Sequence, residues 1–73
     1  MTSIKDRLIE LKNQRGYLQK EIADGIGIPL RTYQRYEYGE REPNASVIVS
    51  LADFFEVSAD YLLGRTDNTE VNQ

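Results

Sequence analysis

The 73-residue sequence predicts an all-α fold: one compact domain of five short helices. Three observations lead there. Apolar residues recur at spacings of three and four, and no stretch shows the alternation of a strand. Helix-capping residues and glycines punctuate the chain at short intervals. Between two of the amphipathic segments lies Gly25-Ile26-Gly27-Ile28-Pro29, a joint with glycines to turn and a proline to restart.

The first helix is expected over 3–14. Ser3 and Asp6 have capping-box spacing, with the Ser3 hydroxyl placed to accept from the Asp6 backbone N–H. Ile4, Leu8 and Leu11 form its apolar stripe, and Ile9 widens it. Lys5, Asp6, Arg7, Glu10 and Lys12 take the wet side, and Gly16 ends the helix in a left-handed conformation. Helix two is expected from Gln19 to Asp24 or Gly25, with Ile22, Ala23 and Ile26 inward. Gly25 weakens its end, Gly27 makes the turn, and Pro29 falls in the first turn of helix three, where its missing N–H is not needed. That helix runs to Glu37, with Gly39 just past it.

Gly39 to Pro43 forms a loop. Asn44 caps helix four, which is expected to end near Phe55, with Ala45, Ile48, Leu51, Ala52 and Phe55 as its core stripe. Val47, Val49 and Phe54, with Leu62 or Leu63, are extra apolar surface. They fit equally well a patch between two copies or packing against helices one and five. Ser58 caps a fifth helix, Ala59 to Leu63, whose Asp60 suits the positive end of the dipole. Tyr61, Leu62 and Leu63 close the core, and Gly64 stops the helix. Residues 1–64 are thus the folded domain, and 65–73, RTDNTEVNQ, a polar and mobile tail.

The chain has neither Cys nor His. That removes disulfides, thiolate and imidazole metal sites, and every Ser-His or Cys-His nucleophile pair, so no enzyme, metal or cofactor chemistry is expected. The carboxylates from Asp53 to Glu70 lack the spacing of a calcium loop. No run is long enough for a membrane span. The opening MTSIKDRLIE carries charges where a signal peptide has an apolar core, so a cytoplasmic protein is expected. Net charge is −3, but it is unevenly spread: +2 up to Arg41 and −5 from Glu42 onward. The basic half holds helices two and three, and a local field can attract phosphates whatever the total.

Counting from Gln19 as position one of a twenty-residue helix-turn-helix, the geometry wants apolar residues at positions four, eight, ten, fifteen and eighteen. Ile22, Ile26, Ile28, Tyr33 and Tyr36 stand there. Ala23 supplies the small residue at the helix crossing and Gly27 the turn glycine. On these residues the chain resembles the phage-repressor-like helix-turn-helix domains (Cro/C1 type, XRE family), lambda-repressor-like in fold. The likeness extends to Gly16, Gln19, Arg35-Tyr36-Glu37-Tyr38-Gly39, Arg41-Glu42-Pro43 and Val57-Ser58-Ala59-Asp60-Tyr61-Leu62-Leu63-Gly64, spanning about Ile4 to Gly64. It implies operator binding, usually as a dimer, with a Gln at the position of Gln19 on the DNA backbone. It also implies a pair between Lys12 and Glu37, although Lys lacks the bidentate fork of the Arg more common there. Leu18 departs from the usual Ser or Thr cap of helix two and is expected to pack on helix one instead. Pro29-Leu30 replaces a polar pair at the start of the reading helix.

Helical spacing of about 100° per residue puts Leu30, Arg31, Gln34, Arg35 and Tyr38 on one arc of helix three, opposite Tyr33 and Tyr36. Arg31 suits guanine, Gln34 adenine, Leu30 a thymine methyl, and Arg35 either a base or a phosphate. The expected phosphate contacts are Gln19 and Asn44, at helix N-termini, with Lys20, Tyr38 and Arg41. Tyr33 and Tyr36 are expected in the core and not as stacking platforms. The partner expected is double-stranded DNA, met by a homodimer, with no small-molecule ligand or membrane involved. The alternative from another class is an antitoxin-type module that neutralises a protein and binds DNA secondarily.

Overall fold

A computed structural model describes residues 3–68 and contains five helices and no strand among them. They are α1 (Ile4–Arg15), α2 (Gln19–Ile26), α3 (Leu30–Glu37), α4 (Ala45–Phe55) and α5 (Ala59–Leu62). The start signals act as their chemistry requires. Ser3 accepts from the Asp6 N–H, Asn44 from Val47 and Ser58 from Tyr61, at 3.2, 3.0 and 3.0 Å. The stop signals at Gly16 and Gly27 are left-handed, with φ of 70° and 75°. Glu56 ends α4 in the same region at φ 58° without glycine's freedom. The Val57 N–H still closes the motif on the Ala52 carbonyl at 2.9 Å.

Helix α1 lies one residue later than expected at each end and α5 stops one residue earlier, and two further boundaries differ at the joint. Helix α2 continues to Ile26, and Pro29 is the N-cap of α3 and not its first residue. Pro29 keeps an extended ψ of 144°, while its carbonyl already accepts from Thr32 and Tyr33. The role of Gly25 also changes. It lies inside α2, where a Cβ would stand 2.7 Å from Cδ1 of Phe54 on α4. Glycine is there because the ring of Phe54 occupies the space a side chain would take.

Helix α2 packs on α3 and α4, α1 on α3 and α5, and α4 on α5. The core between them comprises Leu8, Leu11, Ile22, Ala23, Tyr33, Tyr36, Leu51, Ala52, Phe55, Val57, Tyr61 and Leu62, with Ile26, Ile28, Val47 and Phe54 packed against it. Each fully buried large side chain contributes roughly 1.5–3 kcal/mol of transfer free energy. Tyr17 extends the core by packing its ring, tilted by 51°, against Phe54, which sits edge-on to Phe55, at centroid distances of 4.9 and 5.2 Å. Ala45 and Leu63, expected inside, are exposed: Ala45 opens α4 and Leu63 caps the end of α5. Of the extra apolar residues, Leu62 is buried and Val47 and Phe54 pack on the core, which leaves Val49 and Leu63 exposed. Leu18 does not pack on α1: it is 68% exposed.

Arg7 is the largest departure. Expected on the wet side, it is 6% exposed. Its guanidinium lies 4.0 Å from the centroid of the Tyr61 ring. It donates to the Thr66 carbonyl at 3.2 Å and to Asp67 at 2.8 Å. The Tyr61 hydroxyl in turn donates to Glu10 at 2.6 Å. Residues 66 and 67 are therefore held against α1, while 69–73 of the expected tail lie outside the described residues. No helix among the described residues is long and apolar enough to cross a membrane.

Candidate nucleic-acid interface

Helix α3 is held from beneath by its tyrosines. Tyr33 and Tyr36, at 0% and 3% exposure, fix its roll so that the opposite arc faces outward. On that arc Arg31, Arg35 and Tyr38 are exposed, and Leu30 is 38% exposed. Neither arginine has a side-chain partner among the described residues, so both guanidinium forks are free. Arg41 stands exposed in the loop that follows.

The residues beside this arc are joined in a way that spacing did not foretell. Glu37 sits at the edge of the arc but is 2% exposed. Its Oε1 accepts from Lys12 Nζ on α1 at 2.9 Å, the ion pair that the family resemblance implied. The same oxygen accepts from Gln19 Nε2 on α2 at 3.2 Å. Gln19 Oε1 then accepts from Gln34 Nε2 at 3.1 Å. One carboxylate thus ties three helices together beneath the outward arc of α3. Gln34 is half-buried, and its amide is partly committed to the protein. The second oxygen of Glu37 and the hydroxyl of Tyr33 are both buried with no hydrogen-bond partner. Burial, and then the neighbouring Glu37 carboxylate, push the Tyr33 phenol far above its ordinary value without a hydrogen bond closing between them.

The other phosphate candidates are arranged differently from one another. Lys20 is exposed and pairs with Asp24 at 2.9 Å, an i,i+4 pair that water screens and a phosphate can displace. The Asn44 carbonyl oxygen is occupied by the Val47 N–H and the Ser46 hydroxyl, so that side chain presents only its amino group outward. Gln19 opens α2. There the Leu18 N–H is taken by Glu21 at 2.8 Å, and no side chain caps the helix from the N-cap position. Leu18 supplies the right backbone geometry and the wrong side chain. The features missed by sequence reasoning were the Gln19–Gln34 bond and the exclusion of a Cβ at Gly25. Gln19 and Gln34 lie on different helices, so no local periodicity links them. Among the described residues no cluster of Asp or Glu is arranged to hold a metal.

Comparison with known proteins agrees with this geometry. A helix-turn-helix family model matches residues 8–62. The HTH-type transcriptional regulator ImmR of Bacillus subtilis is 34% identical over 71 residues, 97% of this chain and 56% of its own. The cryptic phage CTXphi transcriptional repressor RstR of Vibrio cholerae is 42% identical over 62 residues, 85% of this chain and 55% of its own. The chain spans about half the length of these relatives. The crystal structure of a transcriptional regulator from Listeria innocua superposes with a TM-score of 0.81 at 30% identity, over 88% of this chain and 60% of that one. The P22 c2 repressor, solved with a synthetic operator, shares the fold with a TM-score of 0.83 at 21% identity, over 90% of this chain and all of that one. The chain belongs to the Cro/C1-type helix-turn-helix family.

Proposed function

We propose that this protein binds double-stranded DNA at a specific operator and represses transcription, with α3 in the major groove. The observation that carries the reading is the pair of exposed arginines, Arg31 and Arg35, with no side-chain partner among the described residues, on the outward arc of a helix whose opposite face is locked into the core. An α-helix about 10–12 Å across fits a groove about 12 Å wide. Arg31 and Gln34 read base edges, Leu30 lies against a thymine methyl, and Arg35 reaches a base or a phosphate. Gln19, Lys20, Tyr38, Arg41 and Asn44 bind the backbone and fix the register. Residues 1–64 form the binding unit. Two copies act together on half-sites about one helical turn apart, because one α3 offers too few base contacts for tight binding alone.

Selection from a random duplex library, followed by anisotropy titration of the enriched sequence, tests this. A two-fold-related pair of half-sites is expected. Arg31→Ala and Gln34→Ala should each lower affinity by roughly 1–3 kcal/mol. Unchanged affinity in both variants would show that α3 does not read the bases.

A further inference from the structure

Gln34 is held by a relay that starts at Glu37. A carboxylate paired with an ammonium accepts hydrogen bonds and does not donate them. Glu37, 2.9 Å from Lys12 Nζ and buried, therefore takes the amino end of the Gln19 side chain, at 3.2 Å. That turns the Gln19 carbonyl oxygen toward α3, where it can only accept. It receives Gln34 Nε2 at 3.1 Å. One of the two amide hydrogens of Gln34 is thus spent inside the protein. The groups left for the groove are its carbonyl Oε1 and one N–H.

We propose that Glu37, acting through Gln19, fixes the orientation of the Gln34 amide, so that the protein selects adenine and rejects guanine at one position of its site. Adenine presents an N6 donor beside its N7 acceptor in the major groove, which matches the remaining oxygen and N–H of Gln34. Guanine presents two acceptors, O6 and N7. A freely rotating amide meets them with its amino group, but here one acceptor would face the Gln34 carbonyl. Glu37 and Gln19 are positioning residues, and Gln34 is the residue that touches the base. The proposal rests on the DNA-binding reading given above.

Binding-site selection from random duplex DNA with the 73-residue chain tests it. The position read by Gln34 is the one whose preference Gln34→Ala flattens. Wild type should favour adenine over guanine there by about tenfold or more. Gln19→Leu removes both relay bonds at a half-exposed position and leaves the Lys12–Glu37 pair intact. It should bring the adenine-to-guanine ratio at that position close to one; overall affinity falls as well, because Gln19 is also placed on the DNA backbone, so the ratio and not the affinity is the readout. Glu37→Gln combined with Lys12→Met removes the ammonium that would hold the new amide's oxygen in place, so the amide can present its amino group, Gln19 and Gln34 can both reverse, and guanine should rise at the same position. Circular dichroism confirms that each variant is folded. Guanine preferred by wild type at that position, or a ratio unmoved by Gln19→Leu in a folded protein, would overturn the relay and leave DNA binding standing. Enrichment of no sequence by wild type would remove the DNA-binding reading itself.

Discussion

Replacing Gly25 by Ala sets two opposed effects against each other. Alanine is the better helix former, and inside α2 the exchange should stabilise by about 0.5–1 kcal/mol. The added Cβ, however, would lie 2.7 Å from Cδ1 and 3.3 Å from Cζ of Phe54, where carbon atoms prefer about 3.5–4.0 Å. The ring cannot simply swing aside. Tyr17 and Phe55 brace it at centroid distances of 4.9 and 5.2 Å. Overpacking of this kind costs about 1–3 kcal/mol, so the clash should outweigh the propensity gain by about 1 kcal/mol. For a domain of this size that lowers Tm by roughly 4–8 °C, readable by circular dichroism at the helical band. The same substitution in a Phe54→Leu background should be neutral or stabilising, because the clash is gone and the propensity gain remains. A rise in Tm for Gly25→Ala in the wild-type background would show that the α2–α4 contact is loose and the reasoning wrong.

Two further substitutions follow from the caps and the buried phenol. Leu18→Ser should raise Tm, since Leu18 already has N-cap backbone geometry, is 68% exposed and contributes no side-chain acceptor. A capping hydroxyl there is worth about 1 kcal/mol, and an unchanged or lower Tm would mean that the Glu21 bond to the Leu18 N–H already suffices. The raised value of Tyr33 means that the folded state keeps its proton where the unfolded chain loses it. Stability from this group is complete below about pH 10 and falls as pH rises above it, by up to about 1.4 kcal/mol per pH unit. Tyr61, raised by its bond to Glu10 and by burial, adds a slope of the same sign. Tyr33→Phe should be neutral or stabilising at pH 7, because it removes an unpartnered buried hydroxyl, and should flatten alkaline unfolding. An alkaline unfolding curve identical to wild type would count against that assignment.

What could be read from the sequence was what local chemistry decides. Ser3, Asn44 and Ser58 cap because a short side chain with an oxygen precedes an apolar repeat. Gly16 and Gly27 stop helices because left-handed backbone costs glycine least. The inward face of α3 followed from the spacing of Tyr33 and Tyr36. What escaped was decided by distant partners. Arg7 flanks the Ile4, Leu8 and Leu11 stripe, and it is buried because the Tyr61 ring of α5 lies against it and residues 66 and 67 return to bond it. Gly25 looks like a frayed helix end until the ring of Phe54 is set beside it. Gln34 looks free until Gln19 arrives from the preceding helix. In each case the missing quantity was a contact between elements, which periodicity does not carry.

The outward face of α3 is mechanically divided. Arg31 and Arg35 are exposed and have no hydrogen bond or ion pair among the described residues, so substitutions there should disturb the packing of α3 little. Gln34 and Glu37 are tied to α2 and α1, so a change at either is felt by the fold as well as by the ligand. If α3 reads DNA as proposed, a descendant of this chain could drift toward a new operator one residue at a time through the two arginines, at little risk to its stability. Altering the Gln34 position requires coordinated change at Gln19 and Glu37. The two kinds of position should diverge at different rates among proteins that share this scaffold, and an engineer retargeting it would begin with the arginines.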